Sequence, residues 1–349
     1  MVERVLLAEP RGFCAGVEMA IKALVWMTRV FVPPVYCYHQ IVHNLSVVGA
    51  FEAAGVVFVD DIELVPAGAP VMLSAHGSGP EVAAALAERT TVVVDAVCPL
   101  VTKVHHEVRR MAAEGYHILY VGHAGHDEAL GTIAQAPQAV LLVDPRQGLA
   151  GLAPPDPNRV ALVAQTTLGH HEWEDVVDEA SGRYPSLWTA RKSDLCYATT
   201  NRQAAVELLA TRAEPVLVVG SATSSNTQAL VRVARAAGAT AYRIEGPESI
   251  RPQWLHEDAV VGVTAGASAP EASVQQVIAR LAPRRGVEVV RAGAEDEYFP
   301  PPPQLRAMLL ALQSVIEGGL GARRPARPGP LDDDRSWSAA RALAVLSAG

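Results

Sequence analysis

From Val5 onward the chain keeps returning to one unit: a short apolar run rich in β-branched residues, a loop of small and polar residues, then a segment with helical apolar periodicity. The runs Val5–Ala8, Val35–Tyr38, Val71–Ser74, Val92–Asp95, His117–Val121, Val160–Ala164, Asp194–Tyr197, Val216–Gly220 and Val260–Thr264 make nine such units within the first 285 residues. Alternating strand and helix points to parallel sheets covered by helices on both faces, with the loops at the strands' carboxyl ends forming the binding crevice.

Three cysteines fall in those loops: Cys14 in EPRGFCAGV, Cys98 in DAVCPLVTKVHHEV and Cys196 in DLCYATTNRQAAVELL. They head the first, fourth and seventh units, which divides nine units into three sets of three with one cysteine opening each. The implied fold is three small, similar α/β domains around a centre. A thiol at a helix N-terminus feels the positive end of the dipole and unpaired N–H groups, so a lowered pKa and a metal-binding thiolate are expected. The fourth cysteine, Cys37, lies inside a strand in VYCYHQ and reads as core packing.

A chain of 349 residues, half of them apolar, has material for two or three cores. Four cysteines over that length are no secreted disulfide framework, so reduced thiols are expected. Residues 1–9 carry no basic and apolar leader, and no stretch is apolar enough to span a bilayer, so the expected location is cytoplasmic with no membrane partner. A formal charge of -8 and the lack of a basic stripe argue against nucleic acid.

Three thiolates suit zinc or an iron-sulfur cluster, and spacing alone does not choose between them; no C-x-x-C pair of the zinc-ribbon or ferredoxin kind is present. The remaining loops suggest a phosphorylated substrate. VVGSATSSNTQAL and VTAGASAPEASV are strand-to-helix turns able to aim N–H groups and hydroxyls at phosphate oxygens, although neither is a Walker or Rossmann fingerprint. IVHN with His43, SAHGSGP with His76, and GHAGHDEALGT with His123, His126, Asp127 and Glu128 add imidazoles and carboxyls, and QTTL adds the hydroxyls of Thr166 and Thr167. A carboxyl enclosed among such groups is a candidate proton donor.

In order and in register, PRGFCAGV, IVHN, SAHG, CPLVTKVH, GHAGH, QTTL, CYATTNRQ, SSN and VTAGASAP resemble the 4-hydroxy-3-methylbut-2-enyl diphosphate reductase (IspH or LytB) family from about Arg4 to about Ala282. The resemblance implies an α/β fold of three similar parallel-sheet domains in a trefoil around one central [4Fe-4S] cluster. Its ligands would be Cys14, Cys98 and Cys196, with the fourth iron left open. It implies two-electron reductive dehydroxylation of (E)-4-hydroxy-3-methylbut-2-enyl diphosphate to isopentenyl and dimethylallyl diphosphates, the last step of the methylerythritol phosphate isoprenoid pathway. Glu128 would supply protons, helped by Thr166 and His126. His43, His76, Ser224, Ser225, Asn226 and Ser268 would hold the diphosphate, with His126 and Thr166 also touching substrate. A ferredoxin or flavodoxin is the implied electron donor, since the chain has no flavin or nicotinamide fingerprint. Where the family reads HPEVEGT this chain reads HDEALGT, so Asp127 competes with Glu128 for the role of acid; Glu128 occupies the matching position. Met19 and Gln40 stand where Arg and Glu are common, and neither departure removes a ligand.

The expected domains are residues 15–97, residues 98–195, and residues 1–14 with 196–285, followed by a partly flexible C-terminal extension, 286–349. Within that extension DEYFPPPPQL is expected to be extended, LRAMLLALQSVIEGG helical, GARRPARPGPLDDD a flexible linker and RSWSAARALAVLSAG a short helix, the whole a poorly ordered appendage or a segment that docks onto a partner or a second subunit. Two rival functions remain: a three-cysteine zinc hydrolase, and a cluster-bearing iron or oxygen sensor, which would have no need of the polar loops.

Overall fold

The computed structural model describes residues 1–190, 194–319 and 333–346. Its strands form three wholly parallel sheets. The chain divides into two compact units, Met1–Cys14 with Leu100–Asp296, and Ala15–Pro99 with Glu297–Gly349.

The first unit holds two sheets. One runs β11–β10–β12–β1–β13, from β1 (Arg4–Glu9), β10 (Val216–Val219), β11 (Ala241–Ile244), β12 (Val260–Ala265) and β13 (Val287–Arg291). The other runs β7–β6–β8–β9, from β6 (His117–Val121), β7 (Val140–Val143), β8 (Val160–Ala164) and β9 (Trp188–Thr189). Their helices are α4 (Pro99–Ala113), α5 (Asp127–Ile133), α6 (His170–Arg183), α7 (Tyr197–Ala210), α8 (Ser225–Ala236) and α9 (Glu271–Leu281). The second unit holds β3–β2–β4–β5, from β2 (Val35–Tyr38), β3 (Val56–Val59), β4 (Val71–Leu73) and β5 (Val93–Asp95), with α1 (Ala15–Val30), α2 (Leu45–Ala53), α3 (Pro80–Arg89), α10 (Pro303–Gly319) and α11 (Ala339–Leu346).

Central strands are continuous apolar runs because helices cover both their faces. VALVA of β8 is buried at every position, and so is VLVV of β10. Below and above the five-stranded sheet two apolar clusters close, one around Val263, Val274 and Val277 and one around Val206, Leu209 and Leu230. Helix starts follow local chemistry: Asn44 Oδ1 accepts from Val47 N–H to begin α2, and Ser224 Oγ accepts from Thr227 N–H to begin α8.

Thirteen strands stand among the described residues, against nine expected runs. Asp194–Tyr197 is not a strand. Asp194 is buried and accepts from Ala164 N–H, while Cys196 Sγ accepts from Thr199 N–H, so the segment is a loop that caps α7. The strand of that region is the two-residue β9. Val287–Arg291, expected in the extension, is a full strand of the five-stranded sheet, paired with β1 from Val5↔Val287 to Glu9↔Arg291.

The sequence predicts a partly flexible extension; its final helix is instead docked on α1. Trp337 packs edge-on against Trp26 with ring centroids 5.5 Å apart, and Arg29 lies over both rings. Ala339 N–H donates to Glu18 Oε2 at 2.6 Å. Lys22 Nζ donates to the backbone oxygen and to Oδ2 of Asp334, each at 2.8 Å. Most of the expected linker GARRPARPGPLDDD falls on residues 320–332, outside the described residues. No helix among the described residues is long and apolar enough to cross a membrane.

Candidate active site

Each sheet repeats one strand order, and the cysteines occupy the same station in it. β5, β9 and β1 are the fourth strands of β3–β2–β4–β5, β7–β6–β8–β9 and β11–β10–β12–β1, and they lead into Cys98, Cys196 and Cys14 respectively. In every case the cysteine N–H is tied to the second residue beyond the neighbouring third strand: Cys98 to Ala75 O at 3.0 Å, Cys196 to Thr166 O at 3.0 Å and Cys14 to Ala267 O at 3.2 Å. Nothing in the local sequence of ATTNRQ or AGV announces this; it follows from parallel pairing of distant strands.

The N–H of that anchoring residue is also held, each time by the loop or helix start after the sheet's second-position strand. Thr166 N–H donates to Glu128 Oε1 at 2.7 Å, Ala267 N–H to Asn226 Oδ1 at 2.9 Å and Ala75 N–H to Ile41 O at 3.5 Å. One residue, Thr166, therefore links Glu128 to the Cys196 loop, and another, Ala267, links Asn226 to the Cys14 loop.

Glu128 lies on α5, 2 % exposed, and accepts a second hydrogen bond from Thr166 Oγ1 at 3.0 Å. Burial raises its carboxyl from 4.5 to about 7, and the two Thr166 donors pull the other way without cancelling it. His126 caps α5: its Nδ1 accepts from Glu128 N–H at 3.2 Å, which assigns the ring proton of the neutral side chain to Nε2. Gln165 organises the adjoining loops and was not singled out by the sequence. Its Oε1 accepts from His123 N–H at 2.9 Å, and its Nε2 donates to Thr167 Oγ1 at 2.9 Å and Ser225 Oγ at 3.2 Å. Asn226 Nδ2 and His123 Nε2 are buried with no hydrogen-bond partner among the described residues, as expected of groups that meet a ligand. Burial lowers the His123 imidazole.

In the second unit His43 and His76 stack with ring centroids 4.0 Å apart and an interplanar angle of 17°. His76 Nδ1 lies 3.4 Å from Ser74 Oγ. The first unit thus brings together Cys14, Cys196, His126, Glu128, Thr166, Ser224, Ser225, Asn226 and Ser268 on strand-end loops and helix starts, and the second does so for His43, His76 and Cys98.

None of the four cysteines is in a disulfide. Cys37 is buried in β2, and burial raises its thiol well above the ordinary range. The expected lowering of the thiol pKa at a helix start does not hold for Cys196. Burial, then the charge of Cys14, push it up to about 11, although Thr199 and Arg202 act in the opposite sense. A cation is what such a pair of neighbouring, partly enclosed thiols lacks, so the donor set fits a soft metal centre.

Residues 5–282 match the LytB protein family. The 4-hydroxy-3-methylbut-2-enyl diphosphate reductase of Leifsonia xyli is 45% identical over 325 residues, 92% of this chain and 96% of the relative. That of Mycobacterium leprae is 47% identical over 291 residues, covering 83% and 87%. Among solved structures, the E-1-hydroxy-2-methyl-but-2-enyl-4-diphosphate reductase of Plasmodium falciparum superposes with a TM-score of 0.86 at 30% identity, over 90% of this chain and 100% of the other.

Proposed function

The chain belongs to the LytB protein family, and from that premise we propose that it is an iron-sulfur reductase of (E)-4-hydroxy-3-methylbut-2-enyl diphosphate. It removes the C4 hydroxyl with two electrons and two protons and releases water with isopentenyl or dimethylallyl diphosphate. The proposed ligands of its single [4Fe-4S] cluster are Cys14, Cys98 and Cys196. The observation that carries this reading is their equivalence: three cysteines outside any disulfide, one per sheet, each at the same station with its N–H fastened to the same anchoring position.

When bound, the cluster supplies electrons one at a time and a Lewis-acidic iron without a protein ligand. The protein's own groups do the rest. Glu128 holds a proton near neutrality because its buried carboxyl resists ionisation. It gives that proton to the departing hydroxyl, which leaves as water rather than as hydroxide. Thr166 steadies the carboxylate left behind through its N–H and its hydroxyl. His126, with its proton on Nε2, donates to a substrate oxygen. His43, His76, Ser224, Ser225, Asn226 and Ser268 hold the diphosphate, the last four from helix starts and loops whose N–H groups favour anions. Electrons come from a one-electron carrier such as a ferredoxin or flavodoxin.

Purification without oxygen, assay of iron and sulfide, and turnover of the allylic diphosphate with a reduced one-electron donor test the proposal together. Iron, sulfide and dehydroxylation are expected. Stoichiometric zinc in colourless protein, or a full cluster with no turnover, would overturn it.

A further inference from the structure

Arg202 is 1% exposed and has no part in the chemistry above. It sits on α7, and all three nitrogens of its planar fork donate hydrogen bonds. Nη2 and Nε donate to Gly12 O at 2.8 and 3.3 Å. Nη1 donates to Ala198 O at 2.9 Å and to both carboxylate oxygens of Glu295, at 2.8 and 3.0 Å. Asn201 Nδ2 adds a bond to Glu295 Oε1 at 3.2 Å.

The two backbone oxygens name the role. Gly12 lies two residues before Cys14, and Ala198 two residues after Cys196. Gly12 is held at φ +67°, where an L side chain is strained, and a Cβ there would stand 3.2 Å from Ala269 O. One guanidinium thus ties the Cys14 loop, at its positive-φ glycine, to the first turn of α7, whose N-cap is Cys196. A lysine reaches one such acceptor as a point charge; only the arginine fork spans both and still engages a carboxylate.

Burying a cation is costly unless it is paired, and Glu295 pairs this one at Nη1. The charge remains close enough to act on Cys196. Reduction adds negative charge to any centre held by these thiols, and a buried cation favours that added charge while a buried anion opposes it.

We propose that Arg202 is a positioning residue of the cluster, holding the Cys14 loop through Gly12 against the start of α7 that Cys196 caps, and that the Arg202–Glu295 pair sets the cluster's reduction potential with opposed signs. The proposal rests on the ligand assignment made above. It requires that loss of either member move the potential, and in opposite directions.

The test is a redox titration of anaerobically reconstituted protein, read by absorbance and electron paramagnetic resonance, with iron and sulfide counted per chain. Arg202→Gln is expected to hold less iron and to show a potential more negative than the parent. Arg202→Lys restores the potential toward the parent value but not the full iron content. Glu295→Gln, which keeps the guanidinium, shifts the potential positive. If Arg202→Gln does not fold, the sign of the Glu295→Gln shift decides. Unmoved potentials, or shifts of the same sign, would overturn the proposal, whereas a parent protein that takes up no iron and sulfide would instead overturn the ligand assignment.

Discussion

Glu128 and Asp334 are carboxyl groups removed from water to the same degree, at 2 and 1% exposure, but they meet different partners. Glu128 faces only neutral donors, the N–H and hydroxyl of Thr166, and burial lifts its pKa to about 7. Asp334 faces the ammonium of Lys22 at 2.8 Å and the hydroxyl of Tyr298 at 2.8 Å. A buried carboxyl without a cation exchanges its proton near neutrality and suits chemistry. One paired with a cation serves as a fastener, here of the C-terminal segment to α1.

The comparison breaks most visibly at Glu128. Glu128→Gln is expected to keep iron and sulfide and to lower turnover by roughly 10²- to 10⁴-fold, the usual worth of a positioned acid, in a single-donor assay. Unchanged turnover would remove Glu128 from the chemistry.

Asp334→Ala leaves the buried Lys22 ammonium without its carboxylate, so a loss of about 3–5 kcal/mol in urea unfolding is expected, with turnover per folded molecule retained. The double replacement Lys22→Met with Asp334→Leu should recover most of that loss, because an apolar pair of similar volume suffices for a fastener. No such exchange should rescue Glu128.

Protonation sharpens the contrast. A carboxyl raised from 4.5 to about 7 binds its proton more tightly in the fold. Its contribution to stability is therefore full below pH 4.5 and is lost as pH rises through about 7. Relative to Glu128→Gln, the parent should lose on the order of 3 kcal/mol between those limits, measured by denaturant titration at each pH. Turnover should decline on the alkaline side of the same value. Thr166→Val removes a donor that pulls the Glu128 pKa down, so that alkaline limb should move to higher pH, while Thr166→Ser leaves it in place. Smallest of all, Asp127→Asn should cost ~0.3–1 kcal/mol through the α5 dipole and leave the pH profile unmoved.

Sequence made the loops legible and left the sheet edges obscure. Central strands such as Val160–Ala164 are apolar at every position and declare themselves. β3, β7, β11 and β13 lie at the edges, with one side unpaired and their burial broken, as in the pattern of Val287–Arg291, where only Val290 is buried. Their identity comes from pairing with strands far away, and for β3 and β7 the runs VVFV and VLLV were the available signal. The site loops could be found because glycine, serine and histidine cluster there for turn and capping reasons. The anchoring of each cysteine N–H could not, since its acceptor lies on a neighbouring strand's loop. Nor could the tail: LDDD reads as a solvated charge run, and Asp334 is buried only because Lys22, 312 positions earlier, waits for it.

The position of β1 sets an order of events during synthesis. It is flanked by β12 and β13, in register Arg4↔Val260 and Val5↔Val287, and Cys14 N–H finds its acceptor on Ala267. The first of these thiols to leave the ribosome is thus the last to be fixed. Until Ala267 has emerged the loop that carries Cys14 lacks its anchor, and until residues near 291 have emerged β1 lacks its second neighbour. On the ligand assignment proposed above, a chain cut short of Ala267 would lack the anchor of one ligand loop, so its iron content is expected to fall below that of the full chain.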